Sequence, residues 1–194
     1  MILDTKLMKF FPSEFGRYVL DLDHNAITKY TIEFVRTIDS YTTFHDKKLN
    51  QAWINGHNEV KKLHQDIIDA SFDYAKSTDR KLKDPFVYMW ASVYHEGKSH
   101  GAHIHRKSLI SGTYYPTDDP SHARILFDSP LMALSMHDTK NEKHFTQSFK
   151  PKAGDMLMWP SFLTHRVFEQ GPTPKPRVAI SFNVDCRKIQ NDRT

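Results

Sequence analysis

The 194-residue sequence contains a single cysteine, Cys186, and no long apolar run. One cysteine excludes an internal disulfide, and it equally excludes a zinc ribbon or iron–sulfur cluster ligated within one chain. No stretch approaches the roughly 18 apolar residues that predict a membrane helix. Residues 1–20 interrupt their apolar positions with charges and a proline, so they lack the apolar core of a secretory signal. These absences predict a protein of the reducing cytoplasm with no membrane association.

The charge balance is only mildly basic, with 27 lysines and arginines against 23 aspartates and glutamates. The basic residues are spread over many segments, which favours a solvated surface over a nucleic-acid footprint. The hydrophobic share of 39% in a chain of this length fits one domain with a substantial core. Histidine is the unusual component, because several of the 12 histidines fall in residues 95–105.

The chain divides into a helical first part and a second part of short strands. Apolar residues at helical spacing predict helices over residues 26–38 and 57–76. Short strands with turn punctuation indicate a closed or sandwiched β architecture, with the helices on one outer face. We therefore predict one domain over residues 1–194, with a helical support region at 1–84 and a β core at 85–187. The predicted strands cover residues 86–94, 109–115, 124–127, 144–149, 155–159 and 177–184.

A pair of histidines in the second part is a candidate metal chelate. His103 and His105 are two residues apart, so in an extended segment both imidazoles point to the same face. His165, which follows a predicted strand and a turn, is the best candidate for a third ligand. Such a pair also arises by chance in a histidine-rich chain, and nitrogen ligands suit zinc, copper, iron and nickel alike. The other histidines are expected at the surface or in local hydrogen bonds: His24, His45, His57, His64, His95, His100, His122, His137 and His144.

Three further residues make the histidine pair more informative. Arg177 opens the last apolar strand, and its planar guanidinium can grip a carboxylate with two hydrogen bonds. Tyr94 and Tyr115 lie near the ends of neighbouring predicted strands. Alone, these residues would be interpreted as a surface arginine and two core aromatics. Beside three histidines, they indicate a pocket for a small dicarboxylate.

These motifs resemble those of the iron(II)- and 2-oxoglutarate-dependent oxygenases, and specifically a group of them found in bacteria and phages. The likeness covers roughly residues 85–184, and its "SGxYY" and "PSxxxH" elements are fairly specific in this order. It implies a mainly β fold with N-terminal helices, whose core is a double-stranded β-helix of the jelly-roll, cupin-like kind. The residues that carry the resemblance are Tyr94, Gly97, His103, His105, 111–115, Gly154, Asp155, 159–161, His165 and 177–183.

The resemblance implies an iron site built on a facial triad. The family usually takes His-x-Asp or His-x-Glu plus a distal histidine. His103 and His165 match the two histidines, whereas His105 stands where a carboxylate is usual. A site of three histidines carries one less negative charge. The alternative third ligand is a carboxylate from another strand, and Asp128 is the candidate.

The resemblance also assigns the cosubstrate pocket. Arg177, helped by Tyr115, would bind the distal carboxylate of 2-oxoglutarate, and Tyr94 would lie near its keto-acid end or the metal. Ser111 and Asn183 would belong to the pocket wall. The implied cofactors are Fe(II), 2-oxoglutarate and O₂, with ascorbate expected to support activity.

The implied reaction is hydroxylation of a C–H bond, with a prolyl-hydroxylase-like preference for a protein or peptide. The implied location is the cytoplasm of a bacterium or of a phage-infected host. One alternative is a nucleic-acid demethylase of the same superfamily, although no clustered basic and aromatic groove favours it. Another is a cupin-like three-histidine metal protein that does not use 2-oxoglutarate. The orientation of Arg177 discriminates, because only an inward-facing guanidinium can bind a dicarboxylate in the barrel.

Overall fold

The computed structural model describes residues 2–10, 13–131 and 145–186. The described part is mostly β, with two antiparallel sheets and three helices. Along the chain its first elements are β1 (Ile2–Phe10), β2 (Ser13–Leu20), α1 (His24–Thr37), α2 (Lys47–Asn55), α3 (Asn58–Ser77) and β3 (Pro85–Tyr94). They are followed by β4 (His100–His103), β5 (Ile110–Tyr114), β6 (Ile125–Asp128), β7 (Thr146–Phe149), β8 (Asp155–Pro160), β9 (His165–Val167) and β10 (Arg177–Cys186).

The major sheet has the strand order β1-β2-β8-β5-β10-β3, and the minor sheet has the order β4-β9-β6-β7. Alternation along β10 shows how the major sheet divides the interior. Val178, Ile180 and Phe182 face the helices, where they join the larger apolar core. Arg177 and Ala179 point instead between the two sheets. The space between the sheets therefore holds both a second core and the side chains of a cavity, as in a double-stranded β-helix.

Close packing in the middle of the major sheet leaves no room for a side chain at Gly112 in β5. A Cβ atom there would lie 2.2 Å from Cζ of Phe182 and 2.5 Å from the carbonyl oxygen of Leu157. β5 pairs with β8 on one side and with β10 on the other. Gly112 thus leaves room for the Phe182 ring of the neighbouring strand β10 to lie over β5 within the major sheet.

The two predicted helices are confirmed as α1 and α3, but the prediction that residues 1–84 are helical is wrong for β1, β2 and their place in the major sheet. β2 buries both faces, because Phe15 packs between the sheets while Tyr18 and Leu20 pack against the helices. Burial on both faces removes the apolar–polar alternation by which a strand is recognised. The helix α2 was not predicted either.

The predicted strands of the second part are confirmed within a few residues, and the structure adds the short strands β4 and β9. Of the predicted strand at 144–149, β7 covers Thr146–Phe149, while His144 lies outside the described residues, as does His137. In the described ranges, no helix combines the length and apolarity needed to cross a membrane.

Candidate metal centre and cosubstrate pocket

Three imidazoles converge between the two sheets. His103 at the end of β4 is the register partner of His165 at the start of β9, and their ring centroids are 4.2 Å apart. His105 lies two residues beyond β4, where its backbone N–H donates to the carbonyl oxygen of Ser161 over 2.9 Å. Its ring centroid is 5.0 Å from that of His103 and 5.2 Å from that of His165. One ring nitrogen from each histidine lies within 4.8 Å of the others, so the three could hold one metal ion.

Backbone carbonyls fix the tautomer of two of these rings. Nδ1 of His103 is 2.8 Å from the carbonyl oxygen of Gly101, and Nδ1 of His165 is 3.0 Å from that of Leu163. A carbonyl oxygen only accepts, so each Nδ1 carries a hydrogen and donates it. The Nε2 lone pair of both rings is therefore free for a metal, which is the usual arrangement of ligating histidines.

Two histidines of the cluster, His105 and His165, are held neutral by burial. Burial, reinforced by the neighbouring ring of His103, lowers the pKa of His165 to about 3 and that of His105 to about 4. A protonated imidazole cannot ligate a metal. At neutral pH both rings are consequently uncharged, which is the charge state that a ligating imidazole requires.

Ser111 and Asn183 were expected in the wall of the cosubstrate pocket, but they do not line the histidine cavity. Both stand behind His105, where the Ser111 hydroxyl is 2.8 Å from Oδ1 of Asn183, and Nδ2 of Asn183 is 3.3 Å from Nδ1 of His105. Their contacts make them partners of a candidate ligand rather than of the cosubstrate.

Asp128, the alternative third ligand, faces away from the histidines. Its neighbour Phe127 pairs with His165 across β6 and β9, and successive residues of a strand point to opposite faces. The Asp128 carboxylate forms an ion pair with Arg166 and accepts a hydrogen bond of 3.0 Å from the Thr146 hydroxyl. The structure thus leaves His105 as the third imidazole of the cluster, and Asp128 fixes β6 to its two neighbouring strands.

The guanidinium of Arg177 points into the same cavity. Arg177 is only 3% exposed, and its guanidinium carbon lies 5.1 Å from the ring centroid of Tyr94 and 5.3 Å from that of Tyr115. Nη1 of Arg177 and the hydroxyl of Tyr115 are buried without a hydrogen-bond partner among the described residues. Buried donors left unpaired cost free energy, and a carboxylate would satisfy both. The pair therefore fits an acidic, acceptor-rich group.

The two tyrosines remain hydrogen-bond donors at neutral pH. Burial raises the pKa of Tyr115 to about 12, although the neighbouring Arg177 opposes this shift. Burial also raises the pKa of Tyr94, whose hydroxyl lies 3.4 Å from Nδ1 of His100. Tyr94 thus stands between the arginine end of the cavity and the histidine end.

His100 is exposed, as the sequence predicted, but it also lines the cavity, which the sequence did not predict. Its ring stacks on that of His103 with centroids 4.2 Å apart and planes 11° from parallel. The register of β4 shifts between His100 and His103, and this irregularity turns two residues three apart toward one side. No sequence signal marks such a bulge. Trp90 and Ser181 also line the cavity and had no distinguishing motif.

The fold is a double-stranded β-helix, and its cavity is lined by a three-histidine cluster that could hold a metal and by the buried Arg177. Residues 88–183 match the sequence model of the family described as "Putative 2OG-Fe(II) oxygenase". The chain belongs to this family of oxidoreductases, whose members use Fe(II), 2-oxoglutarate and O₂.

Solved structures of low sequence identity share the fold. A prolyl-4-hydroxylase of Pseudomonas putida is 12% identical, with a TM-score of 0.59 over 89% of this chain and 88% of that one. The carbocyclase SnoK of nogalamycin biosynthesis is 14% identical, with a TM-score of 0.61 over 88% and 79%. The epimerase SnoN of the same biosynthesis is 13% identical, with a TM-score of 0.58 over 89% and 76%. No curated protein matches the sequence. Because the names of these three enzymes denote different reactions, the shared fold does not select one.

Proposed function

We propose that this protein hydroxylates a C–H bond of a protein or peptide, with iron held by His103, His105 and His165. Arg177 and Tyr115 bind the distal carboxylate of 2-oxoglutarate. The observation that carries this proposal is the buried guanidinium of Arg177 on the wall of the histidine cavity, whose Nη1 has no hydrogen-bond partner among the described residues. A protein that only stored a metal would gain nothing from an unpaired positive charge there.

When bound, iron(II) with 2-oxoglutarate and O₂ supplies an oxidant strong enough for a C–H bond, and succinate and carbon dioxide are the other products. The chain supplies the placement. His103, His105 and His165 would hold the metal, and three protein ligands would leave room for the cosubstrate and O₂ to bind it. Arg177 and Tyr115 fix the far end of the cosubstrate, and the buried rings of Trp159 and Trp90 restrict water. No side chain is required as a general base.

An aromatic shelf beside the cavity supports a substrate with an apolar group next to the reacting carbon. The ring centroid of Trp90 lies 6.2 Å from that of His105 and 4.9 Å from that of Phe44, which is 42% exposed. The Tyr88 hydroxyl donates to the Phe44 carbonyl oxygen over 2.8 Å and holds this exposed ring in place. The shelf is compatible with a peptide side chain, and a substrate is identified by mass spectrometry as a peptide that gains one oxygen atom.

The test of the reaction is succinate formation from 2-oxoglutarate with iron(II) and ascorbate. We expect His165→Ala to lose iron and Arg177→Ala to raise the 2-oxoglutarate requirement at least about tenfold, since a charge-assisted carboxylate contact is lost. Arg124→Ala, at an exposed arginine outside the cavity, is the control for Arg177→Ala. Undiminished iron in His165→Ala would refute the assignment of the metal site.

The second candidate is a three-histidine metal protein without 2-oxoglutarate turnover. The observation that favours it is His105 itself, because a neutral imidazole stands where the family usually places a carboxylate. Under this candidate, 2-oxoglutarate would neither bind nor stabilise the metal-loaded protein. Binding that depends on Arg177 would decide for the oxygenase.

A further inference from the structure

A row of three polar side chains lies behind His105. Ser111, which is fully buried, has its hydroxyl oxygen 2.8 Å from Oγ of Ser161 and 2.8 Å from Oδ1 of Asn183. Nδ2 of Asn183 continues the row to Nδ1 of His105 over 3.3 Å. The register pairs Asn183 with Ser111 across β10 and β5. The row is therefore built into the major sheet and ends on a candidate metal ligand.

The hydrogen bonds of this row run in one direction. Oδ1 of an amide only accepts, so the Ser111 hydroxyl donates to Asn183, and Ser161 must then donate to Ser111. The amide nitrogen of Asn183 only donates, so Nδ1 of His105 accepts and carries no hydrogen. In the neutral ring, the hydrogen is then on Nε2.

His105 thus differs from its two partners. Nδ1 of His103 and Nδ1 of His165 donate to backbone carbonyls, which leaves their Nε2 atoms free. Since Asn183 occupies Nδ1 of His105, Nε2 is the nitrogen left to serve a metal, yet it carries the hydrogen. An N–H cannot be a metal ligand, so the tautomer must change before His105 ligates.

We propose that Asn183 is a positioning residue that couples the tautomer of His105 to metal binding, a role that rests on the proposed function. In the metal-free protein the amide donates to Nδ1. When Nε2 takes the metal, it gives its proton to solvent and Nδ1 takes one from solvent, so the ring stays neutral. The amide turns over about its Cβ–Cγ bond and accepts the new Nδ1–H.

The chemistry of the row permits this reversal. An amide offers both a donor and an acceptor, and each serine hydroxyl can reverse its direction. Ser111 and Ser161 are 0% and 1% exposed, so water does not replace their partners, whereas Asn183 is half-buried at the end of the row that contacts His105. A backbone carbonyl cannot reverse, which is why His103 and His165 lack this freedom.

Asn183→Asp is the variant that tests the role. A carboxylate at this position only accepts, from Ser111 and from His105 alike, so it fixes the hydrogen on Nδ1 and presets the ligating tautomer. Partners of ligating histidines change metal affinity by roughly 10–100-fold. We expect N183D to bind Zn²⁺ at least about tenfold more tightly than the wild type.

The direct measurement is heteronuclear NMR of the histidine rings near neutral pH, with the metal-free protein and with Zn²⁺. We expect His105 of the wild type to carry its hydrogen on Nε2 without metal and on Nδ1 with Zn²⁺. In N183D, the hydrogen is on Nδ1 in both states. The wild-type titration needs no variant, so it tests the proposal even if N183D folds poorly.

Asn50→Asp is the matched control. Asn50 is a buried amide that accepts from Thr43 and donates to the carbonyl oxygen of Met89, and it does not line the histidine cavity. N50D should lower stability but leave both the His105 tautomer and the Zn²⁺ affinity unchanged. An Nδ1 hydrogen on metal-free wild-type His105, or equal Zn²⁺ affinities of N183D and N50D, overturns the proposal. Retention of Zn²⁺ by His165→Ala would instead refute the metal site and leave the metal-free tautomer result standing.

Discussion

Arg177 is one of the described residues with a buried polar atom that has no hydrogen-bond partner. Two tyrosine rings lie beside its guanidinium, and such contacts contribute about 0.5–2 kcal/mol, but Nη1 still lacks a hydrogen-bond partner. Burying a charge is costly enough that replacing even a buried ion pair by apolar side chains of similar volume is often neutral or stabilising by about 1–4 kcal/mol. A residue that costs stability is retained where it serves a ligand.

We therefore predict that Arg177→Leu raises the unfolding free energy of the ligand-free protein by about 1–3 kcal/mol and abolishes 2-oxoglutarate binding. Denaturant unfolding and calorimetric titration measure the two effects. Arg17→Leu is the control, because Arg17 forms an ion pair of 2.7 Å with buried Asp155 and its loss should destabilise. A destabilised Arg177→Leu would show that the guanidinium is satisfied without a ligand.

The ion pair of Asp128 gives a second prediction. Asp128→Ala leaves Arg166 and the Thr146 hydroxyl without their partner, so it should cost about 1–3 kcal/mol of stability. Because Asp128 faces away from the histidines, the variant should still bind one metal ion per chain. His105→Ala should show the reverse, with metal binding weakened and the fold retained. If Asp128→Ala stayed folded but lost the metal, Asp128 would have to be a metal ligand.

Acid should destabilise the metal-free protein through His165. Its pKa is about 3 in the folded state and roughly 6.5 when unfolded, so the unfolded chain binds more protons between these values. The contribution of His165 to stability is thus complete above about pH 6.5 and is lost as the pH falls toward 3. Unfolding free energies of the chelator-treated protein across this range should decline less steeply in His165→Gln.

Single residues differed in how far the sequence could reveal them. His103, His165 and Arg177 stood in recognisable motifs, and the structure brings all three into one cavity. His100 and Asn183 depend on a strand irregularity and on contacts between distant strands. Neither feature produces a periodic pattern in the sequence, so the sequence alone could not predict the contacts of these two residues.

At the scale of elements, β5 shows why the middle of the major sheet tolerates little change. A Cβ on Gly112 would overlap Phe182 and the Leu157 carbonyl, and overpacking of this kind costs about 1–3 kcal/mol or more. We predict this loss for Gly112→Ala in urea unfolding. Gly101→Ala is the control, since a Cβ there meets nothing within 4 Å and should change stability by less than about 0.5 kcal/mol. Adding Phe182→Leu should recover only part of the loss, because the carbonyl remains.

Two physical reasons explain why sequence patterns missed several strands: burial on both faces and short length. β2 is buried on both faces, and β4 and β9 are only 4 and 3 residues long, too short to show a period. α2 spans 9 residues and is capped by Asp46, whose carboxylate accepts hydrogen bonds from the backbone N–H groups of Lys48 and Leu49. The longer α1 and α3 pack one apolar face each, which is why their spacing predicted them.

At the scale of the whole molecule, ligand binding should raise the free energy of unfolding. A ligand that binds only the folded state adds RT ln(1 + [L]/Kd), or about 2.7 kcal/mol at a hundredfold excess over Kd. We predict that Zn²⁺ and then 2-oxoglutarate each raise the thermal midpoint of the wild type. The metal increment should vanish in His165→Ala and the 2-oxoglutarate increment in Arg177→Leu. A full 2-oxoglutarate increment in Arg177→Leu would contradict the placement of its carboxylate.

The unpaired donors of Arg177 and Tyr115 also bear on how long the protein survives in a cell. Unfolded chains are removed by proteases, so the steady amount of a marginally stable protein follows its folded fraction. A pocket that is costly when empty and satisfied when filled ties that fraction to the supply of its small acidic ligand. We expect the half-life of the wild type to lengthen as the intracellular concentration of 2-oxoglutarate rises. The half-life of Arg177→Leu should not change with that concentration.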